Sequence, residues 1–99
     1  MAKINANYEV IYIINPSLGE EATAAVIAKI KTMTEERGTV TEVEEWGKRR
    51  LAYPINDLTE GYYVRMVFTG DVGYPAELDR KMRIDVNVMR SIIVCLDED

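Results

Sequence analysis

Residues 44–50 of this 99-residue chain, Glu44-Glu45-Trp46-Gly47-Lys48-Arg49-Arg50, set two carboxylates, an indole, a glycine and three cations side by side. An arginine guanidinium donates two parallel hydrogen bonds to a phosphate, so adjacent arginines on an extended segment could reach different phosphates of one nucleic-acid strand. Trp46 and Tyr53 flank the cations, a pattern suited to stacking on bases or on a partner's side chains. The same rings could equally pack on their own sheet. A solvated edge strand whose charges merely block aggregation would also read this way, so residue types alone leave the two functions of the segment open.

Catalytic chemistry finds less support. The chain has no histidine and one cysteine. It therefore cannot build a serine-histidine or cysteine-histidine pair, and a zinc site would need Cys95 with carboxylates only. Glu44 and Glu45 are neighbours on an extended segment, so their side chains point to opposite faces and cannot act as a carboxylate pair. Glu42 and Glu44 share a face, where Lys48, Arg49 and Arg50 lie near enough to offset them. Cys95 sits in an apolar stretch and is expected as a small buried hydrophobe. No glycine-rich loop follows a strand, so nucleotide binding has no motif. We expect no enzyme, no cofactor and no metal.

The elements that must position these residues follow from periodicity. Residues 8–14 read as a central strand, with Tyr8, Val10, Tyr12 and Ile14 on one face and Glu9, Ile11 and Ile13 on the other. Asn15-Pro16 ends it. Ser17 and Glu20 have capping-box spacing, and Ala22, Val26, Ile27, Ile30 and Met33 form the apolar stripe of a helix that stops before Gly38. A second strand runs over 39–46 and irregularly on to Tyr53. Gly47 within it predicts a bulge that swings Lys48, Arg49 and Arg50 out of the ladder, and Pro54 confines this stretch to a sheet edge. Residues 56–60 join it to a third strand over 61–68, with Tyr62, Val64, Met66 and Phe68 facing the core and Tyr63, Arg65 and Val67 opposite. Pro75 opens a short helix through about Arg83 with Leu78 and Met82 inward. Residues 88–96 form the last strand.

The order strand, helix, strand, strand, helix, strand predicts an α+β sandwich: a four-stranded antiparallel sheet with both helices on one face. The other face would carry Ile11, Ile13, Tyr63, Arg65, Val67, Arg90, Ile92 and Val94, which is too apolar for water alone and calls for a partner. With 47% hydrophobic residues, residues 1–99 are expected to form one domain, with 1–6 and 97–99 as flexible ends. Apolar runs are strand-sized and far short of a membrane span. With no leader segment recognised, the expected location is the cytoplasm. The net charge of −5 argues against gripping nucleic acid with the whole surface. Local clusters have the sign the total lacks: Lys48, Arg49 and Arg50, and again Arg80, Lys81 and Arg83. The acidic remainder suits a basic protein partner.

Residues 44–55, Glu44-Glu45-Trp46-Gly47-Lys48-Arg49-Arg50-Leu51-Ala52-Tyr53-Pro54-Ile55, resemble the signature of the bacterial small-subunit ribosomal protein S6 family. Tyr8-Glu9, Asn15-Pro16, Gly61-Tyr62-Tyr63, Met82-Arg83-Ile84 and Val88-Met89-Arg90-Ser91 match elsewhere in the same order. The resemblance implies a ferredoxin-like βαββαβ domain, binding to 16S ribosomal RNA, and pairing with a small basic S18-like ribosomal protein. Under that reading Lys48, Arg49, Arg50 and Arg90 are the expected RNA contacts. Ile11, Ile13, Tyr63, Arg65, Val67, Ile92 and Val94 are the expected protein-partner face. The same topology also hosts regulatory or ligand-binding modules that homo-oligomerise, and acylphosphatase-like hydrolases. The latter need an arginine-bearing phosphate loop after the first strand, which Asn15-Pro16-Ser17-Leu18-Gly19 does not supply.

Overall fold

The computed structural model describes residues 5–55 and 58–97. Six elements follow in order: β1 (Asn5–Ile14), α1 (Glu20–Glu35), β2 (Gly38–Ile55), β3 (Leu58–Asp71), α2 (Tyr74–Ile84) and β4 (Val88–Cys95). The strands lie in the order β2-β3-β1-β4, and each neighbouring pair is antiparallel. This is the α+β sandwich expected from the pattern, in the ferredoxin-like order that the resemblance implies.

Alternation along β1 and β3 builds the core. Val10, Tyr12, Ile14, Val64 and Phe68 are fully buried, and they pack with Val26, Ile27 and Ile30 of α1 and Leu78 and Met82 of α2. Period-2 apolar residues thus meet period-3.6 stripes on one side of the sheet only. Two polar contributors do not show in the apolar pattern. Thr34 on α1 is buried, donates to the Ile30 carbonyl and lies 3.0 Å from the Tyr74 hydroxyl, so each hydroxyl has a partner. Ala22, assigned to the stripe, is exposed, while Thr23 beside it is buried.

The helix starts differ from expectation. α1 begins at Glu20 with Gly19 as its N-cap and no side-chain cap. The Ser17 amide donates instead to Asn15 Oδ1, and the Leu18 amide to the Asn15 carbonyl, so an Asx turn uses the residues of the expected capping box. Strand β3 begins at Leu58 rather than Gly61, which turns three expected loop residues into strand. Asn56 and Asp57 lie outside the described residues. At the ends, Asn5 and Ala6 belong to β1, with Ala6 buried, and the Asp97 carboxylate accepts from the Asn7 amide and side chain. Residues 1–4 and 98–99 lie outside the described residues.

The β2–β3 hairpin outgrows the rest of the sheet. β1 pairs with β3 only as far as Tyr62, whereas β2 continues opposite Gly61, Glu60 and Leu58. A register break between Arg50 and Ile55 frees residues 51–54 from the ladder, and they bend over the helix-free face.

Candidate nucleic-acid and protein interface

Gly47 adopts φ +80°, and the β2–β3 register shifts between Glu45 and Gly47, so the bulge read from this glycine is present. Its expected consequence is not. Lys48, Arg49 and Arg50 stay in the ladder, opposite Tyr62, Gly61 and Glu60. Strand alternation therefore sends them to two sides: Lys48 and Arg50 share the side of Tyr62, and Arg49 projects on the helix-free side. All three are exposed, and among the described residues none makes an ion pair with a carboxylate. The Arg49 guanidinium carbon lies 5.4 Å from the centre of the Trp46 ring. The indole thus supports a cation and is half-buried.

The bent end of β2 closes over part of the helix-free face. Leu51 is 7% exposed and Ile13, on β1, is 8% exposed. A Cβ added to Gly61 would collide with Ile13 Cγ2 and lie 3.5 Å from Leu51 Cδ2, so only glycine lets β3 pass this close to the two side chains. Ile13 does sit on the predicted face, but the β2–β3 hairpin covers it, and the expectation that it offers free surface is corrected. Tyr53, beyond Leu51, is 61% exposed. Arg90 on β4 donates to its hydroxyl at 3.3 Å and lies 5.7 Å from its ring centre. The structure thus brings Trp46, Arg49 and Tyr53 of β2 and Tyr63 of β3 to the same end of the face as Arg90 of β4.

The rest of the face has the opposite character. Arg65, expected on the protein-partner face, is enclosed by carboxylates: its Nε donates to Glu9 at 2.5 Å, and its Nη1 donates to Glu44 at 2.5 Å and to Glu42. The Glu9 carboxylate, then Glu42 and Glu44, hold the Arg65 pKa above its ordinary value. One cation among three anions leaves the patch acidic. It is Arg65, not the Lys48, Arg49 and Arg50 run, that offsets Glu42 and Glu44. Beside this patch, Ile11 and Val67 are half-buried, while on the edge strand β4 Ile92 is 58% and Val94 47% exposed. In register, Ile92 neighbours Ile11 and Val94 neighbours Glu9, so apolar edge and acidic centre are continuous.

Other cations are committed elsewhere. Arg37 bridges Asp71 at 2.6 Å and Glu77 at 2.5 Å and lies over the Tyr74 ring; no pattern in the sequence signalled this clamp. The Arg37 guanidinium lowers the pKa of both carboxylates. Of the second basic cluster, Lys81 pairs with Glu77 and Arg83 with Asp79, which removes much of its field. Glu45 accepts from the Tyr62 hydroxyl at 2.8 Å. Cys95 is exposed rather than buried, because β4 is an edge strand and the end of the helix layer does not cover it. Among the described residues no group of acids or cysteine could hold a metal ion, and no helix is long and apolar enough to cross a membrane.

Known proteins share the sequence and the fold. A family model described as ribosomal protein S6 fits residues 7–95. The small ribosomal subunit protein bS6 of Clostridium novyi (strain NT) is 52% identical over 89 residues, covering 89% of this chain and 94% of that protein. The bS6 of Thermosynechococcus vestitus is 43% identical over 97 residues, covering 97% and 85%. Among solved structures, the crystal structure of 30S ribosomal protein S6 from Thermotoga maritima superposes with a TM-score of 0.87 at 30% identity, over 92% of this chain and 87% of that one. An uncharacterized protein from the same organism, at 16% identity and a TM-score of 0.61, shares the fold alone. With both its sequence and its sheet order matched over nearly the whole length, the chain belongs to the ribosomal protein S6 family of the small ribosomal subunit.

Proposed function

We propose that this chain is a structural constituent of the small subunit in the cytoplasm that contacts 16S ribosomal RNA through the end of its β2–β3 hairpin, with cations on both sides of the strand, and seats a basic S18-like protein on the acidic and apolar part of its open face. The observation that carries the reading is the division of cations. Lys48, Arg49, Arg50 and Arg90 have no carboxylate partner among the described residues, whereas Arg65 has three. Unneutralised cations on an extended hairpin suit phosphate. An acidic patch continuous with exposed Ile92 and Val94 suits a basic protein, which gains charge complementarity and apolar burial together.

A net charge of −5 leaves few cations to neutralise phosphates, so the chain alone should bind RNA weakly and the pair strongly. Binding as a pair presents both proteins' cations at once and orders them once. The test is a titration of labelled small-subunit platform RNA with the chain alone and with an S18-like protein added. Weak, salt-sensitive binding that the partner strengthens is expected. Nanomolar binding by the chain alone, or a tight homo-oligomer indifferent to the partner, would overturn the reading.

A further inference from the structure

We infer that the shallow slot between the bent end of β2 and strand β4 receives the base of one unpaired RNA nucleotide. The inference rests on the proposed RNA contact of this end and specifies its chemistry. The slot holds about 100 Å³, room for one planar group laid against its wall and too little for a helix or a strand. Tyr53, Tyr63 and Arg90 stand around it, with the apolar side chains of Ile13 and Leu51 also lining it. Ile13 and Leu51 are already buried by each other's elements, so the slot exists before any ligand arrives and little ordering is needed to fill it.

Three features favour a base over other occupants. Aromatic rings accept any base by stacking, and an arginine over a ring adds a cation to the same stack; Tyr53 with Arg90 is such a pair. Arg90 at the slot itself and Arg49 on the same side of the sheet lack carboxylate partners among the described residues, so a nucleotide's phosphates would find countercharge beside its base. A side chain from a basic protein would meet those cations as like charges and would be drawn instead to Glu9, Glu42 and Glu44. None of the described residues lining the slot is an amide or a carboxylate, and its polar groups are the Tyr53 and Tyr63 hydroxyls and the Arg90 guanidinium, so stacking is its main offer to a base.

The experiment uses the whole chain with a short single-stranded RNA carrying 2-aminopurine and with a fully abasic phosphoribose strand of the same length, at low salt. The wild-type chain should quench 2-aminopurine fluorescence and bind the RNA about ten-fold tighter than the abasic strand. Tyr53→Ala, whose exposed side chain leaves the fold intact by circular dichroism, should erase that ratio, and Tyr53→Phe should keep it. Replacing Lys48, Arg49 and Arg50 by alanine should weaken both ligands alike and leave the ratio unchanged. Equal binding of RNA and abasic strand by the wild-type chain would overturn the inference and give the slot to a protein side chain, with the RNA contact itself still standing. Failure of both strands to bind at low salt would overturn the inference and the RNA contact together.

Discussion

Arg65 and Arg49 project from neighbouring strands on the same helix-free face, yet one is enclosed by three carboxylates and the other rests over an indole. Register makes the difference. Glu44 falls opposite Arg65, and Glu42 opposite Val67 one step along, so two carboxylates of β2 converge on one guanidinium while Glu9 reaches it from β1. Beyond the bulge at Gly47 the strand supplies cations and β3 answers Arg49 with Gly61, which has no side chain to neutralise it. An arginine on this face is therefore a binding group or an internal counter-ion according to what the neighbouring strand places across from it, and the face divides into a basic aromatic end and an acidic apolar remainder.

The largest expected effect tests where that division is covered. Ile13→Asp puts an unpaired charge under Leu51 and should destabilise the free domain by several kcal/mol, on the order of 3. Ile92→Asp, on the same face but exposed, should change stability by no more than ~0.5 kcal/mol. Chemical denaturation of both variants checks this, and equal stability would mean that the hairpin does not cover Ile13. Next in size is the triple replacement of Lys48, Arg49 and Arg50 by alanine. Each exposed change should cost within ~0.5 kcal/mol of stability, while the salt slope of RNA binding should drop by roughly 0.7–0.9 for every phosphate that is no longer neutralised. An unchanged slope would remove these residues from the RNA interface.

Arg65→Met should lower the thermal midpoint, because Glu9, Glu42 and Glu44 then face one another without a cation. Added salt should recover much of the loss, since Glu42 and Glu44 are exposed enough to be screened. A loss that salt does not touch would mean that packing, not charge, is what Arg65 supplies. The smallest effect concerns the clamp on the helix side. Asp71 and Glu77 have lowered pKa values in the folded chain, so in acid the folded state binds fewer protons than the unfolded one. Their contribution is full above about pH 5, where both carboxylates are ionised even in the unfolded chain, and is lost as pH falls through their lowered folded values. Arg37→Ala should therefore be less stable than wild type at neutral pH, with the gap closing in acid. A pH-independent gap would contradict the role of those two carboxylates, and neither binding activity should move.

Much of the fold was legible because strand alternation and helix periodicity are local. Tyr8, Val10, Tyr12 and Ile14 announced the buried face of β1, and Gly47 announced its bulge. What was not legible is set by distance across the sheet. The approach of Tyr53 to Arg90 depends on the register break after Arg50, and the burial of Ile13 depends on Leu51 folding back; neither has a signature along the chain. The partners of Arg65 do not follow from counting back along the hairpin either: Ile55 pairs with Leu58, which would set Lys48 opposite Arg65, and only the register shifts after Arg50 and before Gly47 bring Glu44 there. Arg37 gave no signal at all, since its partners come from β3 and α2. The side reached by each cation also follows from pairing rather than from spacing, which is why Lys48, Arg49 and Arg50 do not act as one patch.

The measurement that bears most directly on the divided face compares two folded variants, Ile92→Asp and the alanine triple at Lys48, Arg49 and Arg50, each assayed both for pairing with an S18-like protein and for direct binding to small-subunit RNA. Separate failures are expected: Ile92→Asp loses the partner but keeps the weak direct RNA binding, and the triple variant loses RNA binding but still pairs. If either variant, folded as the wild type, loses both activities to the same degree, the two ends of the face form one site and the division is contradicted.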